Sequence, residues 1–242
     1  MKCLILAAGY ATRLYPLTEN FPKPLLKIKN KTIIDWLIED LNSFNAISEY
    51  YIVTNHKYID EFNKWNHYDN LKIIDDGTTQ NEKRLGAVKD IELVLDSTNI
   101  NDDLLIMAGD NLLDFSLSKF INYFKSKDTN CVMRYFEEDK NKLMKTGVAE
   151  VDSNDLITHM EEKPFEPKAN WIIPPFYIIK KDDLKYIKEG ISEGINVDAP
   201  GSLVSCLANK TNVHAYLMDG KRYDIGNIES YNEVNRTYNI NN

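Results

Sequence analysis

Short, nearly continuous apolar runs alternate along the first half of the chain with longer stretches whose apolar residues recur at helical spacing. The opening run KCLILAA, closed by Gly9, predicts a fully buried strand, and Glu49–Thr54, Leu71–Asp75 and Leu104–Ala108 predict three more. Between them, Thr32 opens a helix with Asp35 at the capping-box position, and Ile33, Ile34, Leu37, Leu41 and Phe44 give it one apolar face. Further helices are predicted near Ile59–Trp65 and at Leu85–Leu95. Such alternation is the pattern of βαβ units, so the expected fold is α/β: a Rossmann-like, doubly wound, mostly parallel sheet with the first strand at its centre. After Asp110 the pattern loosens into a helix at Leu117–Phe124 and strands at Cys131–Tyr135, Gly147–Val151, Ile157–Glu161 and Trp171–Ile179, which predict a mixed extension of the sheet and a cleft beside it. Pro174 and Pro175 donate no ladder hydrogen bonds, so that strand must lie at an edge or be broken there. A helix near Gly201–Ala208, a strand at Val213–Met218 and a closing helix from Asn227 finish the chain. With no internal repeat or long linker, a single domain over 1–242 is expected.

Composition narrows this picture. The 242 residues are 43% hydrophobic, enough for a full core without a small-protein staple. A net charge of -8, from 29 Lys and Arg against 37 Asp and Glu, argues against a nucleic-acid-binding surface. Any phosphate chemistry must therefore use local basic groups. Cys3, Cys131 and Cys206 follow no metal or disulfide spacing and read as buried, reduced thiols. No apolar run reaches the roughly 20 residues of a membrane span, and the first is too short for a signal peptide, so a cytoplasmic protein is expected.

In a doubly wound sheet, ligands bind beyond the carboxyl ends of the strands. The residues just after the first strand include Ala7, Ala8 and Gly9, small enough for backbone N–H groups to approach a phosphate, followed by Thr12 and Arg13. Lys23 stands between Pro22 and Pro24, whose fixed φ angles restrict the loop that carries it. Any one of these residues alone would be an ordinary turn residue or a solvated charge; their joint spacing makes that reading much weaker. Neither a P-loop nor a GxGxxG fingerprint is present. Asp110 follows the strand LLIMAG, where a carboxylate can hold a hard cation, and Asp224 lies in RYDIGN before the last helix.

The stretch LAAGYATRLYPLTENFPKPL, which begins at Leu6, resembles the signature of the sugar-1-phosphate nucleotidyltransferases, in particular short single-domain thymidylyltransferase-like members. The resemblance implies the nucleotide-diphospho-sugar transferase type of α/β fold, with a nucleotide-binding half over about 1–110 and a sugar-binding half over about 111–242. It also implies transfer of a nucleoside monophosphate from a nucleoside triphosphate to a sugar-1-phosphate, giving a nucleotide sugar and pyrophosphate, with Mg²⁺ as cofactor. Residues Leu6, Ala8, Gly9, Thr12, Arg13 and Asp110 then belong to the nucleotide site, and Asp110 and Asp224 bind Mg²⁺, whose octahedral shell phosphate oxygens and water complete. In MEEKP, Glu162 faces the sugar hydroxyls and Lys163 the sugar phosphate, while Gly147 of TGVAEV lies at the sugar pocket. Gln80 and Gly86 match base-contacting positions of thymidine-preferring members, but the Asn81–Arg84 insertion departs from their pattern, so the base stays open.

Under that resemblance the acceptor phosphate is already an anion and needs no general base; the obstacle is charge. Arg13 would hold the departing β and γ phosphates, Lys23 the α-phosphate region and Lys163 the incoming phosphate. A cytidylyltransferase acting on a phospho-alcohol such as phosphocholine shares the opening signature and would need a cage for a cationic head group, to which Trp171, Phe176 and Tyr177 could contribute, although strand core explains them better. A non-catalytic regulatory homologue would show a broken charge set, whereas Arg13, Lys23, Asp110, Lys163 and Asp224 are all present. A glycosyltransferase would show an Asp-x-Asp motif, which Gly109-Asp110-Asn111 lacks. The chain stops soon after the closing helix, without the β-helix domain of bifunctional relatives, so no acetyltransferase activity is expected; a homo-oligomer is left open.

Overall fold

The computed structural model describes residues 1–238. Along the chain the strands are β1 (Lys2–Leu6), β2 (Lys27–Ile28), β3 (Lys31–Thr32), β4 (Glu49–Thr54), β5 (Leu71–Asp75), β6 (Leu104–Ala108), β7 (Asn111–Leu113), β8 (Asn130–Phe136), β9 (Gly147–Val151), β10 (Ile157–Glu162), β11 (Trp171–Ile172), β12 (Phe176–Ile179), β13 (Val213–Leu217) and β14 (Arg222–Asp224). The helices are α1 (Ile33–Ser43), α2 (Ile59–Trp65), α3 (Ala87–Ser97), α4 (Ser118–Lys127), α5 (Lys140–Leu143), α6 (Lys185–Ser192), α7 (Pro200–Lys210) and α8 (Ile228–Thr237). Strand pairs are both parallel and antiparallel, and helices flank them, as expected for a mixed α/β sheet. The chain groups into two compact units that do not follow sequence order: Met1–Arg84, Ala108–Ser118 and the chain from Asp219 form one, Leu85–Met107 and Lys119–Met218 the other.

In the first unit β1, β4 and β5 pair in parallel, with Ile5 opposite Ile52 and Ile52 opposite Ile73. Cys3, Leu4 and Ile5 are fully buried, which is why this run carries no alternation of polar residues. The Thr32 hydroxyl accepts from the Asp35 backbone N–H while the Asp35 carboxylate accepts from that of Thr32, so α1 begins with the capping box read from sequence. Its buried face is Ile33, Ile34, Leu37, Ile38 and Leu41; Phe44 lies at the C-cap, half-buried. Two short ladders were not foreseen, β2 with β3 and β7 with β14. The second sets Asp224 opposite Asn111; α8, capped by Asn227, packs beside it through Val234, and Ile225 before the helix and Tyr238 at its C-cap join the same cluster with Leu112 and Leu26.

In the second unit β8 pairs antiparallel with β11 and β12 and parallel with β13, and β9 joins β10 to β11. The strand expected at 171–179 is broken at its prolines: Trp171 pairs with Phe136 and Tyr177 with Val132, so six steps on one strand face four on the other. Pro174 and Pro175 sit in the resulting bulge, where a missing donor costs nothing. Helix α7 lies on β10 and against α6, with Leu203 and Val204 fully buried. Helices α5 and α6 were not read from the sequence, the first because it is one turn long. Among the described residues no helix is long and apolar enough to cross a membrane.

Candidate active site

The loop after β1 is held by its own backbone and by neighbouring side chains. Ala11 adopts a left-handed conformation (φ 46°), which turns the chain into a 3₁₀ turn over Thr12–Leu14 and carries Arg13 to the surface. The Thr18 hydroxyl donates to the Ala11 carbonyl at 2.8 Å, Tyr58 donates to the Thr18 carbonyl at 2.7 Å, and the buried Asn55 amide donates to the Ala8 carbonyl at 2.9 Å. Gly9 faces open space. The loop bounds a cavity of about 290 Å³ lined by Leu6, Gly9, Thr12, Arg13, Lys23 and Asp110. Gly226, from the turn after β14, completes the wall under the Arg13 guanidinium. Arg13 has no ion-pair partner among the described residues and is exposed, a free cation at the rim.

Lys23, Asp110 and Asp224 come together although 87 and more residues separate the lysine from either carboxylate. Lys23 is buried, with its ammonium 2.9 Å from Asp110 Oδ2 and 3.9 Å from Asp224 Oδ1. The Gly109 N–H donates to the Leu6 carbonyl at 2.9 Å, fixing Asp110 beside the loop, and the β7–β14 ladder brings Asp224. Burial opposes ionisation of Asp110, but the adjacent Lys23 ammonium, its hydrogen bond and the Arg222 charge outweigh it and hold the carboxyl below its ordinary range. The Asn111 amide donates to Asp110 Oδ1 at 2.7 Å and in turn accepts from Arg222. No group of three or more Asp, Glu, His or Cys side chains suited to a metal occurs among the described residues. Two carboxylates sharing one ammonium nevertheless suit a hard cation that takes most of its shell from water and phosphate oxygens.

Neither base-contact candidate is among the residues that line this cavity. Gln80 is exposed and leads into the 3₁₀ turn Asn81–Lys83 formed by the inserted residues. Gly86 belongs to the second unit, where it caps α3 with φ 97°, and a Cβ there would lie 2.7 Å from the Val197 carbonyl oxygen. Local packing requires a glycine there, whatever its role toward a base.

The other candidates gather in the second unit. Gly147 and Glu162 are paired across β9 and β10. Lys163 follows in a left-handed conformation (φ 52°), unusual for a residue before proline, with its N–H donating to the Thr146 carbonyl at 3.0 Å. Its side chain is exposed and makes no ion pair among the described residues. The Glu162 carboxylate is half-buried and receives no hydrogen bond from them; burial raises its pKa, with Lys163 pulling the other way. Beside it opens a cavity of about 490 Å³ bordered also by Met160, Asn196, Ser202 and Asn209. Phe176 and Tyr177 are buried core, and the face of Trp171 is already covered by the Arg134 guanidinium at 4.5 Å, so these three do not form a cage for a cationic head group.

Sequence reasoning missed Asn111, Arg222 and Gly201. The first two act through a ladder between distant segments, and no local pattern announces it. Gly201 had a signal, a glycine in the first turn of a helix where alanine is preferred.

Comparison with known proteins places the chain in a family. The nucleotidyl transferase family model matches residues 2–240. A provisionally named mannose-1-phosphate guanyltransferase of Sulfolobus acidocaldarius is 28% identical over 97% of this chain and 62% of its own length. A UTP–glucose-1-phosphate uridylyltransferase of Haloferax volcanii is 24% identical over 97% of this chain and 95% of its own. The chain spans 62%, 51% and 43% of the length of three of these curated relatives, and nearly the whole of the Haloferax protein. Among solved structures, a UDP-glucose pyrophosphorylase complexed with UDP-glucose superposes with a TM-score of 0.82 at 22% identity, covering 98% of this chain and 97% of the other, which shows the fold to be that of the nucleotide-diphospho-sugar transferases. With the family match running through nearly the whole sequence, the chain belongs to the nucleotidyl transferase family.

Proposed function

We propose that the protein transfers a nucleoside monophosphate from a nucleoside triphosphate to a sugar-1-phosphate, releasing pyrophosphate. The observation that carries this reading is the cavity after β1, where the free Arg13 guanidinium, the buried Lys23 ammonium and open backbone at Gly9 face one space. Cations and N–H donors there suit a triphosphate and not a neutral ligand. Arg13 at the rim holds the departing pyrophosphate, and Lys23 stabilises the charge that builds on the α-phosphate. Lys163, exposed and unpaired among the described residues, binds the acceptor phosphate, and Glu162 accepts from the sugar hydroxyls. Because the acceptor phosphate is already ionised, no side chain needs to remove a proton from it. Asp110 and Asp224 would hold Mg²⁺, which when bound supplies positive charge to the phosphate oxygens. Three free, buried cysteines suit a reducing compartment, which supports a reaction in the cytoplasm.

The test is a pyrophosphate-release screen that crosses the nucleoside triphosphates with a panel of sugar-1-phosphates and phospho-alcohols, with and without Mg²⁺. Metal-dependent release with a sugar-1-phosphate is the expected result. Release only with a phospho-alcohol, or none with any pair, would overturn the reading.

A further inference from the structure

We propose that Gly201, at the start of α7, is a positioning residue for the acceptor: together with Gly147 it forms a slot that a side chain would close, and the Glu162 carboxylate occupies that slot. The inference rests on the reading of Glu162 as an acceptor contact. A Cβ added at Gly201 would lie 1.9 Å from Glu162 Oε2 and 3.1 Å from its Cδ, and one added at Gly147 would lie 2.9 Å from the same oxygen. The same carboxylate oxygen therefore lies against two glycines, one on a strand and one on a helix.

Backbone conformation does not explain Gly201. It lies within α7, and the glycines of positive φ are Gly77, Gly86 and Gly194. Alanine at this position would favour the helix, so glycine gives up local stability here. What glycine provides is space for an oxygen atom. If a methyl group filled that space, either the helix or the carboxylate would have to move. The helix is fixed: Leu203 and Val204 are fully buried, the Ser205 hydroxyl donates to the Met160 carbonyl at 2.8 Å, and the Ser202 hydroxyl donates to the Ala199 carbonyl at 2.6 Å. Glu162 has no such restraint, since no hydrogen bond from the described residues holds its oxygens. The carboxylate would give way, and its unpaired oxygen, aimed where hydroxyl groups can donate to it, would lose its aim.

The test is Gly201→Ala in the full-length protein. The acceptor KM is expected to rise about tenfold or more, as loss of a well-aimed charged acceptor requires, while the triphosphate KM and the melting temperature stay near wild type. The double variant Gly201→Ala with Glu162→Asp, whose side chain is one methylene shorter, should show a smaller acceptor defect than the sum of the two single changes. An activity-independent readout is a ¹³C titration of the Glu162 carboxyl, which in Gly201→Ala should shift toward the ordinary carboxylate value as the group moves to water. An unchanged acceptor KM, an unchanged Glu162 titration, or a parallel rise of both KM values with a lower melting temperature would overturn the proposal. If the wild-type protein turns over no sugar-1-phosphate, the reading of function fails, and the titration still decides whether the slot holds the carboxylate.

Discussion

Glu162→Gln should make the free protein more stable and the enzyme worse. The Glu162 carboxylate is half-buried, flanked by Gly147 and Gly201, and without a hydrogen bond from the described residues, and burial raises its pKa. A carboxyl whose folded pKa is raised binds its proton more tightly in the folded chain than in the unfolded one. Its ionisation therefore subtracts stability; the penalty is absent below the unfolded value of about 4.3 and complete above the raised one. Glutamine keeps the shape and removes the charge. An unsatisfied buried polar group costs about 1–3 kcal/mol, and because water still reaches this one the gain at pH 7 should fall at the low end, about 1 kcal/mol, or roughly 2–4 °C in melting temperature for a chain of this size. The same change replaces a charged acceptor of hydroxyl hydrogen bonds by a neutral one, which loses about half of the 1.5–3 kcal/mol such a bond contributes and raises the acceptor KM about 3- to 15-fold. Melting curves of both proteins from pH 4 to pH 8 test the first claim, and the gap between them should close as the pH falls toward about 4. Steady-state kinetics with acceptor and triphosphate varied separately test the second. A variant less stable than wild type at pH 7, or a gap independent of pH, would refute the account of an unsatisfied carboxylate.

Lys163→Ala should raise the acceptor KM by roughly 10- to 100-fold through loss of a charged phosphate contact, with the triphosphate KM unchanged; equal losses in both would contradict its assignment to the acceptor. Lys23→Met removes the cation shared by Asp110 and Asp224, and turnover should fall about 10²–10³-fold. Breaking a fully buried pair costs about 3–5 kcal/mol, but both carboxylates are partly exposed, so about 1–2 kcal/mol of stability should be lost, measurable by urea titration. Gly86→Ala combines a left-handed backbone with a contact of 2.7 Å to the Val197 carbonyl oxygen, and should cost about 2–4 kcal/mol in the same assay while leaving the KM values of the surviving folded enzyme near wild type.

What the sequence disclosed and what it hid follow from the range of the interactions involved. Strands β1, β4, β5, β6 and β9 and helix α2 were legible because each is a local matter of apolar run length and spacing, and the α1 capping box because its partners are three residues apart. The candidates from Leu6 to Lys23 were legible as one group for the same reason: they are close in sequence, and the structure gathers Leu6, Ala7, Gly9, Thr12, Arg13 and Lys23 around one cavity. The joining of Asp110 to Asp224 depends on the register of β7 with β14, two three-residue strands that carry no periodicity of their own. Only the resemblance pointed to that pair. The strand across Pro174 and Pro175 was read as either at an edge or broken there, and the structure has it broken, as a bulge along one partner.

The two groups of candidate residues also differ in how their charges are balanced, and the difference bears on mechanism. Asp110 and Asp224 share the single Lys23 ammonium in the free protein, which offsets one of their two charges, and the Arg222 charge adds to it at Asp110. Glu162 is balanced by nothing nearer than the adjacent Lys163, whose own side chain is exposed. Such a group lowers the stability of the free protein, and a ligand that donates hydroxyl hydrogen bonds removes that penalty on binding. Discrimination follows: an acceptor without hydroxyl groups at that point would leave a half-buried charge unpaired and be rejected more strongly than its lost contacts alone would suggest. The glycines at 147 and 201 belong to the same argument, since each leaves room for a carboxylate that the fold does not need.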